Sequence, residues 1–310
     1  MIILHGYTGT YILTQKQGTN GKFGGIHRGH RQEDQLEISA KKLKSGNNDQ
    51  LRMIRKLIAT NHPALASTLE IIDYRGNSYV IRKYYPGTDL KTILTKKSIY
   101  RRVNSSFFVE MAIHLLDGLA TLHRHGIVHR DIKPANIIIP HNENEPPNSW
   151  KGIQAILIDF EQASLLPCPV SKIPFALIYS PPEQLLNKGH LTNPTSDLFA
   201  LGITLYETIA GKPPYQDCNA EILLNLQLSY PVQKPPRMHE PFFSILEKAT
   251  YKEPFPKPPR LLSSEKIEFI MRKGIQNRYQ KAENMKEDLQ EYLETHVLQK
   301  PIPWYKRFFK

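Results

Sequence analysis

Seventeen residues near the middle of the chain, from His123 to Ile139, constrain the fold more than any other stretch. An apolar-rich run from Phe107 to Leu122 has helical character and leads into Gly126, where the chain turns. A polar loop follows, His129-Arg130-Asp131-Ile132-Lys133-Pro134-Ala135-Asn136, and then three consecutive isoleucines that read as a short buried strand. Apolar segments therefore anchor both ends of a loop that carries an acid, a cation and an amide within six residues. Groups held on such a support can orient reactants and stabilise charge without moving themselves.

That set of groups suits phosphoryl transfer, where the protein contributes positioning and electrostatics more than covalent chemistry. The pattern His129-Arg130-Asp131-x-Lys133-x-x-Asn136 resembles the catalytic loop of the eukaryotic-type protein kinases. The lysine two residues after the aspartate is the serine/threonine form. A bare His-x-Asp with a later Asn also occurs in small-molecule kinases, so the full pattern is the specific signal. The resemblance makes Asp131 the residue that orients a substrate hydroxyl and accepts its proton. It makes Lys133 the cation beside the transferring γ-phosphoryl group.

Further motifs stand in the family order. Residues 11–44 read as strand, glycine-rich turn, strand, turn, strand. Glycines let backbone amides approach phosphates closely, and Gly21-Lys22-Phe23-Gly24-Gly25-Ile26 resembles the latter part of G-x-G-x-x-G-x-V, with the first glycine displaced to Gly18. Ile38-Ser39-Ala40-Lys41-Lys42-Leu43 alternates as a strand and resembles V-A-I-K. Lys41 is then the lysine for the α- and β-phosphates, with Lys42 as the alternative if the register slips. Leu51, Ile54, Leu57 and Ile58 recur at helical spacing over 49–60. The family carries a glutamate on this helix to pair with the strand lysine; here none lies between Glu37 and Glu70, and the register puts Gln50 in that place beside Asp49. Leu69–Asp73 and Tyr79–Tyr84 read as a hairpin around Arg75-Gly76-Asn77. The stretch Lys83 to Leu90 resembles the hinge, with backbone groups of Lys83 and Tyr85 facing the adenine edge. Arg82 falls at the gate to the pocket behind adenine, or Ile81 if the alignment moves by one residue.

Downstream, Ile153 to Ile158 reads as a buried strand ending at Asp159-Phe160-Glu161, where the family has D-F-G. Asn136 and Asp159 are the implied Mg2+ ligands, hard oxygen donors beside the nucleotide. Glu161 replaces a glycine, restricting the loop or adding an acid near the metal. Residues 162–179 match the activation segment, with Ser164 and Ser171 as candidate phosphorylation sites and Arg130 as the cation to read such a phosphate. Ala176 replaces the usual Thr of the peptide-binding turn. Tyr179-Ser180-Pro181-Pro182-Glu183 resembles Y-x-A-P-E, Asp197 opens a long helix and would tether the catalytic loop, and Arg278 is the expected partner of Glu183. Residues 231–262 read as Pro-rich and irregular, and Glu265–Lys273 and Ala282–His296 as closing helices.

These matches predict a two-lobed α+β kinase fold over residues 11–296. Its N-lobe (about 11–84) is a small antiparallel sheet with one helix, its hinge lies at about 83–88, and its C-lobe (about 89–296) is larger and mainly helical. ATP with Mg2+ binds between the lobes. Residues 1–10 read as an extension and 297–310 as a tail. The tail mixes cations with aromatics, which suits an anionic membrane surface or packing on its own domain. The net charge of +12 admits anionic partners, but no nucleic-acid motif is present. Two cysteines give no disulfide framework, and no signal-peptide pattern or apolar run of about 18 residues is found. Together these point to the cytoplasm. The resemblance implies a serine/threonine protein kinase acting on protein substrates. A pseudokinase scaffold is the alternative, on the strength of Gln50, Glu161 and Ala176, and a small-molecule kinase is the third reading.

Overall fold

The computed structural model describes residues 2–17, 26–43, 48–103, 106–142, 144–168 and 176–298. In the N-terminal part, β1 (Ile2–His5), β2 (Thr10–Gln17), β3 (Ile26–Arg31) and β4 (Glu37–Lys42) are followed by α1 (Asn48–Ile58) and the hairpin β5 (Thr68–Tyr74) and β6 (Asn77–Lys83). All strand pairs are antiparallel, in the order β1-β2-β3-β4-β6-β5. Strand alternation sorts the side chains. Leu4, Tyr11, Leu13, Ile38, Ala40, Ile72, Tyr79 and Ile81 form a core of their own within the curled sheet. Val80, on the opposite face, joins Met53, Ile54 and Leu57 of α1.

Strand β1 lies within the residues read as an extension. Pairing with β2 is supported by a buried carboxylate that joins the sheet's distant ends. Glu70 of β5 accepts from the Tyr7 and Thr8 amides at 2.8 and 3.1 Å, from the Tyr11 hydroxyl at 2.7 Å and from the Thr8 hydroxyl. Burial and the Glu70 carboxylate together push the Tyr11 phenol up to about 12, so it stays a donor.

The larger part begins with β7 (Gly87–Asp89), α2 (Leu90–Thr95), α3 (Lys97–Tyr100), α4 (Phe107–Arg124), β8 (Ile127–Val128), β9 (Ile137–Pro140), β10 (Ile156–Leu157) and β11 (Ser164–Leu165). Helices α5 (Pro182–Leu185), α6 (Pro194–Ala210), α7 (Ala220–Ser229), α8 (Glu240–Ala249), α9 (Ser264–Gln276) and α10 (Ala282–Tyr292) complete it. The core runs through α4 and α6, both apolar on most of their surface. Helix α6 is fixed at both ends. Asn193 and Ser196 form a reciprocal cap at its start, and Gly211, at φ +72°, closes it in the left-handed region. Among the described residues, no helix is long and apolar enough to cross a membrane.

Helix α8 corrects the reading of 231–262 as irregular. Its Pro241 sits in the first turn, where the missing amide costs nothing. Phe242, Phe243, Ile245, Leu246 and Ala249 then bury against the main core. The basic-aromatic tail, residues 300–310, lies outside the described residues.

Burial works to raise the Glu70 carboxyl, but its hydrogen bonds from Thr8, Tyr11 and Tyr7 hold it below the usual range. A carboxyl lowered by folding adds stability above its unfolded value of about 4.3, and loses it as pH falls through the lower folded value. Glu70→Ala should cost about 2–4 kcal/mol in urea denaturation at pH 7. The charge-removing Glu70→Gln should approach wild type at pH 3.

Candidate active site

The loop after β8 is held from below by one carboxylate. Asp197, in the first turn of α6 and fully buried, accepts the His129 amide at 2.9 Å, the Arg130 amide at 2.8 Å and His123 Nε2 at 2.8 Å. Burial alone would raise its pKa; the His123 and backbone bonds outweigh this and hold it below the ordinary value. His129 is fully buried beneath the loop. Its Nε2 donates to the Ile158 carbonyl at 3.1 Å, and its Nδ1 accepts the Asp131 amide at 3.3 Å. Those partners assign the proton to Nε2, and burial pushes the ring's pKa down, keeping it neutral.

Three of the sequence-derived residues converge on this platform. Lys133 Nζ donates to both Asp131 carboxylate oxygens, at 2.9 and 2.7 Å. Asn136 Nδ2 donates to the Asp131 carbonyl at 2.8 Å and to Oδ2 at 2.9 Å, which fixes which end of the amide is the oxygen. The Ile158 amide donates to the Asn136 carbonyl at 2.9 Å. This bond and the β9–β10 pairing bring Asp159 beside Asn136. Arg130 and Asp159 adopt φ +65° and +62°. Non-glycine residues in that region cost on the order of 1 kcal/mol or more each, and such strain gathers at functional sites. Here the two turns stand where the loop and the Asp159 segment face each other.

The opposite wall comes from β4 and β6. Lys41 lies opposite Val80 and Ser39 opposite Arg82, so Lys41 and Arg82 share a face. Ile81 points the other way, into the curled sheet, so of the two it is Arg82 that shares the Lys41 face. Its guanidinium lies over the Phe160 ring at 5.7 Å, within electrostatic reach of Asp159. Phe160 is buried against His129, with ring centroids 5.0 Å apart. Lys42 is exposed, whereas Lys41 is half-buried and ion-paired with Glu161. Burial pushes the Lys41 amine down, Asp159 opposes that and Arg82 adds to it. The carboxylate beside the strand lysine therefore comes from the Asp159-Phe160-Glu161 tripeptide, next to the sequence, and not from α1, which carries Gln50.

The remaining positions sort as follows. Gly18, Gly21, Lys22, Phe23 and Gly24 lie outside the described residues, as does Ser171. Ile26 opens β3 opposite Lys41 and is exposed. At the hinge, the Lys83 amide donates to the Ser67 carbonyl at 3.0 Å and the Tyr85 hydroxyl accepts the Ser67 amide at 3.1 Å. Arg130 Nε donates to the Gln162 carbonyl at 2.6 Å. Ser164 is buried within β11, its hydroxyl bonded to the Leu165 carbonyl at 3.2 Å, so as folded it does not offer itself for modification. Glu183 and Arg278 meet at 2.8 Å with both side chains excluded from solvent, and Ser196 adds a bond to Glu183 at 2.7 Å.

A second buried strut was not legible in the sequence. Lys252 Nζ donates to the Gln227 carbonyl at 2.7 Å and the Tyr215 hydroxyl at 2.9 Å. Gln227 Nε2 in turn bonds the Ile178 and Ser180 carbonyls at 2.9 and 3.2 Å. Burial pushes the Lys252 amine well below its ordinary pKa. The strut supports the turn that precedes Glu183. Its members are ordinary residues far apart in the chain, with no spacing signal.

A two-lobed α+β kinase fold with these groups in its cleft defines the class. The family model of the protein kinase domain matches residues 11–292, and the chain belongs to that family. It is 24% identical over 260 residues to the serine/threonine-protein kinase PkaA of Streptomyces coelicolor, covering 82% of this chain and 46% of that protein. It is 28% identical over 211 residues to the serine/threonine-protein kinase CG17528 of Drosophila melanogaster, covering 67% of this chain and 24% of that protein. The chain thus spans about half the length, or less, of these relatives.

Breaking a buried pair strands the remaining charge, which typically costs about 3–5 kcal/mol. Arg278→Met should lose that much in equilibrium denaturation, and adding Glu183→Gln should recover part of it.

Proposed function

We propose that the chain transfers the γ-phosphoryl group of ATP to serine or threonine hydroxyls of protein substrates. The observation that carries this reading is the clustering of Asp131, Lys133 and Asn136 on one platform, beside Asp159. Asp131 presents its carboxylate to the incoming hydroxyl, orients it and takes its proton. Lys133, paired with that carboxylate at 2.7 Å, would offset charge on the phosphoryl oxygens. The Asn136 amide oxygen and the Asp159 carboxylate would hold Mg2+; one or two protein ligands with the rest from phosphate is the usual arrangement for this ion. When bound, that ion neutralises charge on the β- and γ-phosphate oxygens. Lys41 meets the α- and β-phosphates. Lys83 and Tyr85 offer backbone groups to the adenine edge.

A pseudokinase scaffold is the competing reading, through Gln50, Glu161 and Ala176. The Lys41–Glu161 pair weakens it, because one departure supplies the charge that another removed. We place the activity in the cytoplasm, consistent with free Cys168 and Cys218.

Asp131→Ala should lower phosphotransfer at least about 100-fold while leaving the unfolding transition and ADP affinity near wild type. Mass spectrometry after incubation with ATP and Mg2+ reads both transfer and the residue type modified. Equal transfer by the variant would remove Asp131 from its role.

A further inference from the structure

Three residues stand out at positions the family resemblance singles out: Gln50 on α1, Arg82 on β6 and Glu161 after Asp159-Phe160. They are far apart in sequence, and each alone looks like decay. The structure places two of them around one lysine. Glu161 is ion-paired with Lys41, and both side chains are only 18% exposed. Arg82, on the same face of the sheet two positions along, lies over Phe160 and adds a second positive charge that acts on Lys41. Asp159 is attracted to both cations.

Two cations in a half-buried cleft need more than one carboxylate. Charges withdrawn from water are costly unless paired. Asp159 alone would have to balance Lys41 and Arg82 and also act as a metal ligand. The helix that supplies the second carboxylate in related chains has an uncharged Gln50 at that register. The Glu161 backbone is already fixed to the metal-side segment, because its amide donates to Asp159 Oδ1 at 3.3 Å. One short segment therefore carries an acid for the metal and an acid for the lysine.

We infer that Glu161 is a positioning residue that takes the place of the α1 glutamate, holding Lys41 against the nucleotide from the Asp159-Phe160-Glu161 segment. This inference rests on the phosphotransfer reading for its consequence, but the pair itself does not. Coupling of Lys41 to the metal-side segment has a regulatory corollary. Alignment of Lys41 then follows the Asp159-Phe160-Glu161 segment.

The test is a double-mutant cycle on the full chain with Lys41→Met, Glu161→Gln and the double variant. Thermal unfolding without nucleotide reads the pair directly. Glu161→Gln alone should lower the midpoint by about 2–4 °C, and should add less than about 1 °C in the Lys41→Met background. In turnover, Glu161→Gln should lower kcat roughly 10- to 100-fold with KM for ATP within about threefold and an unchanged Mg2+ requirement. Glu161→Asp, which keeps the charge, should recover part of kcat. If Glu161→Gln does not fold, Glu161→Gly, the glycine of related chains, takes its place. Additive unfolding shifts, wild-type turnover, or a raised Mg2+ requirement that marks Glu161 as a metal ligand would each overturn the inference. Were the wild type itself to transfer no phosphate, the proposed function would fall, while the unfolding cycle would still decide the pair.

Discussion

Asp197 is the interaction on which the site depends. A carboxylate with no access to water is tolerated only when its oxygens are saturated with donors. Two of its donors are consecutive amides of the loop after β8 and the third is His123, at the end of α4. The cost of burying the charge is offset by ordering that loop. Because α6 is capped at both ends and packed on all sides, the loop inherits the rigidity of the core. The His129 ring, locked neutral beneath it, transmits that order to Ile158 and so to the Asp159 turn.

Above this platform the cleft is a balance of charge. Lys133 and Asp131 pair on the lower side, Lys41 and Glu161 on the upper, and Arg82 lies over Phe160 within electrostatic reach of Asp159. On the proposed function, nucleotide phosphates and a divalent ion would exchange partners with this site without introducing unbalanced charge. The struts below, Glu183–Arg278 and Lys252–Gln227, are chemically silent by comparison. They hold the turn that leads out of the activation segment.

Much of this was readable in residue order. The loop from His129 to Asn136 is local, so its composition and spacing define its chemistry before folding. The same holds for the periodic helices around Phe107–Leu122 and Ala282, and for the hairpin around Gly76. Elements whose signal is neither periodic nor local are not legible in the sequence. Helix α8 was hidden by the prolines around it. Strand β1 is four residues long and gains its place through β2 and through Glu70, some sixty residues away. The choice between Arg82 and Ile81 hinged on a one-residue register, which strand alternation turns into opposite faces of a sheet.

The sequence by itself determined the family and the short stretch that brings Asp131, Lys133 and Asn136 together, because its immediate neighbours fix its geometry. Only the tertiary structure decided which carboxylate meets Lys41, which of Arg82 and Ile81 lies over Phe160, and which buried groups carry the loop. Those outcomes depend on strand register and on side chains that approach across long separations, and no local pattern in the chain encodes either.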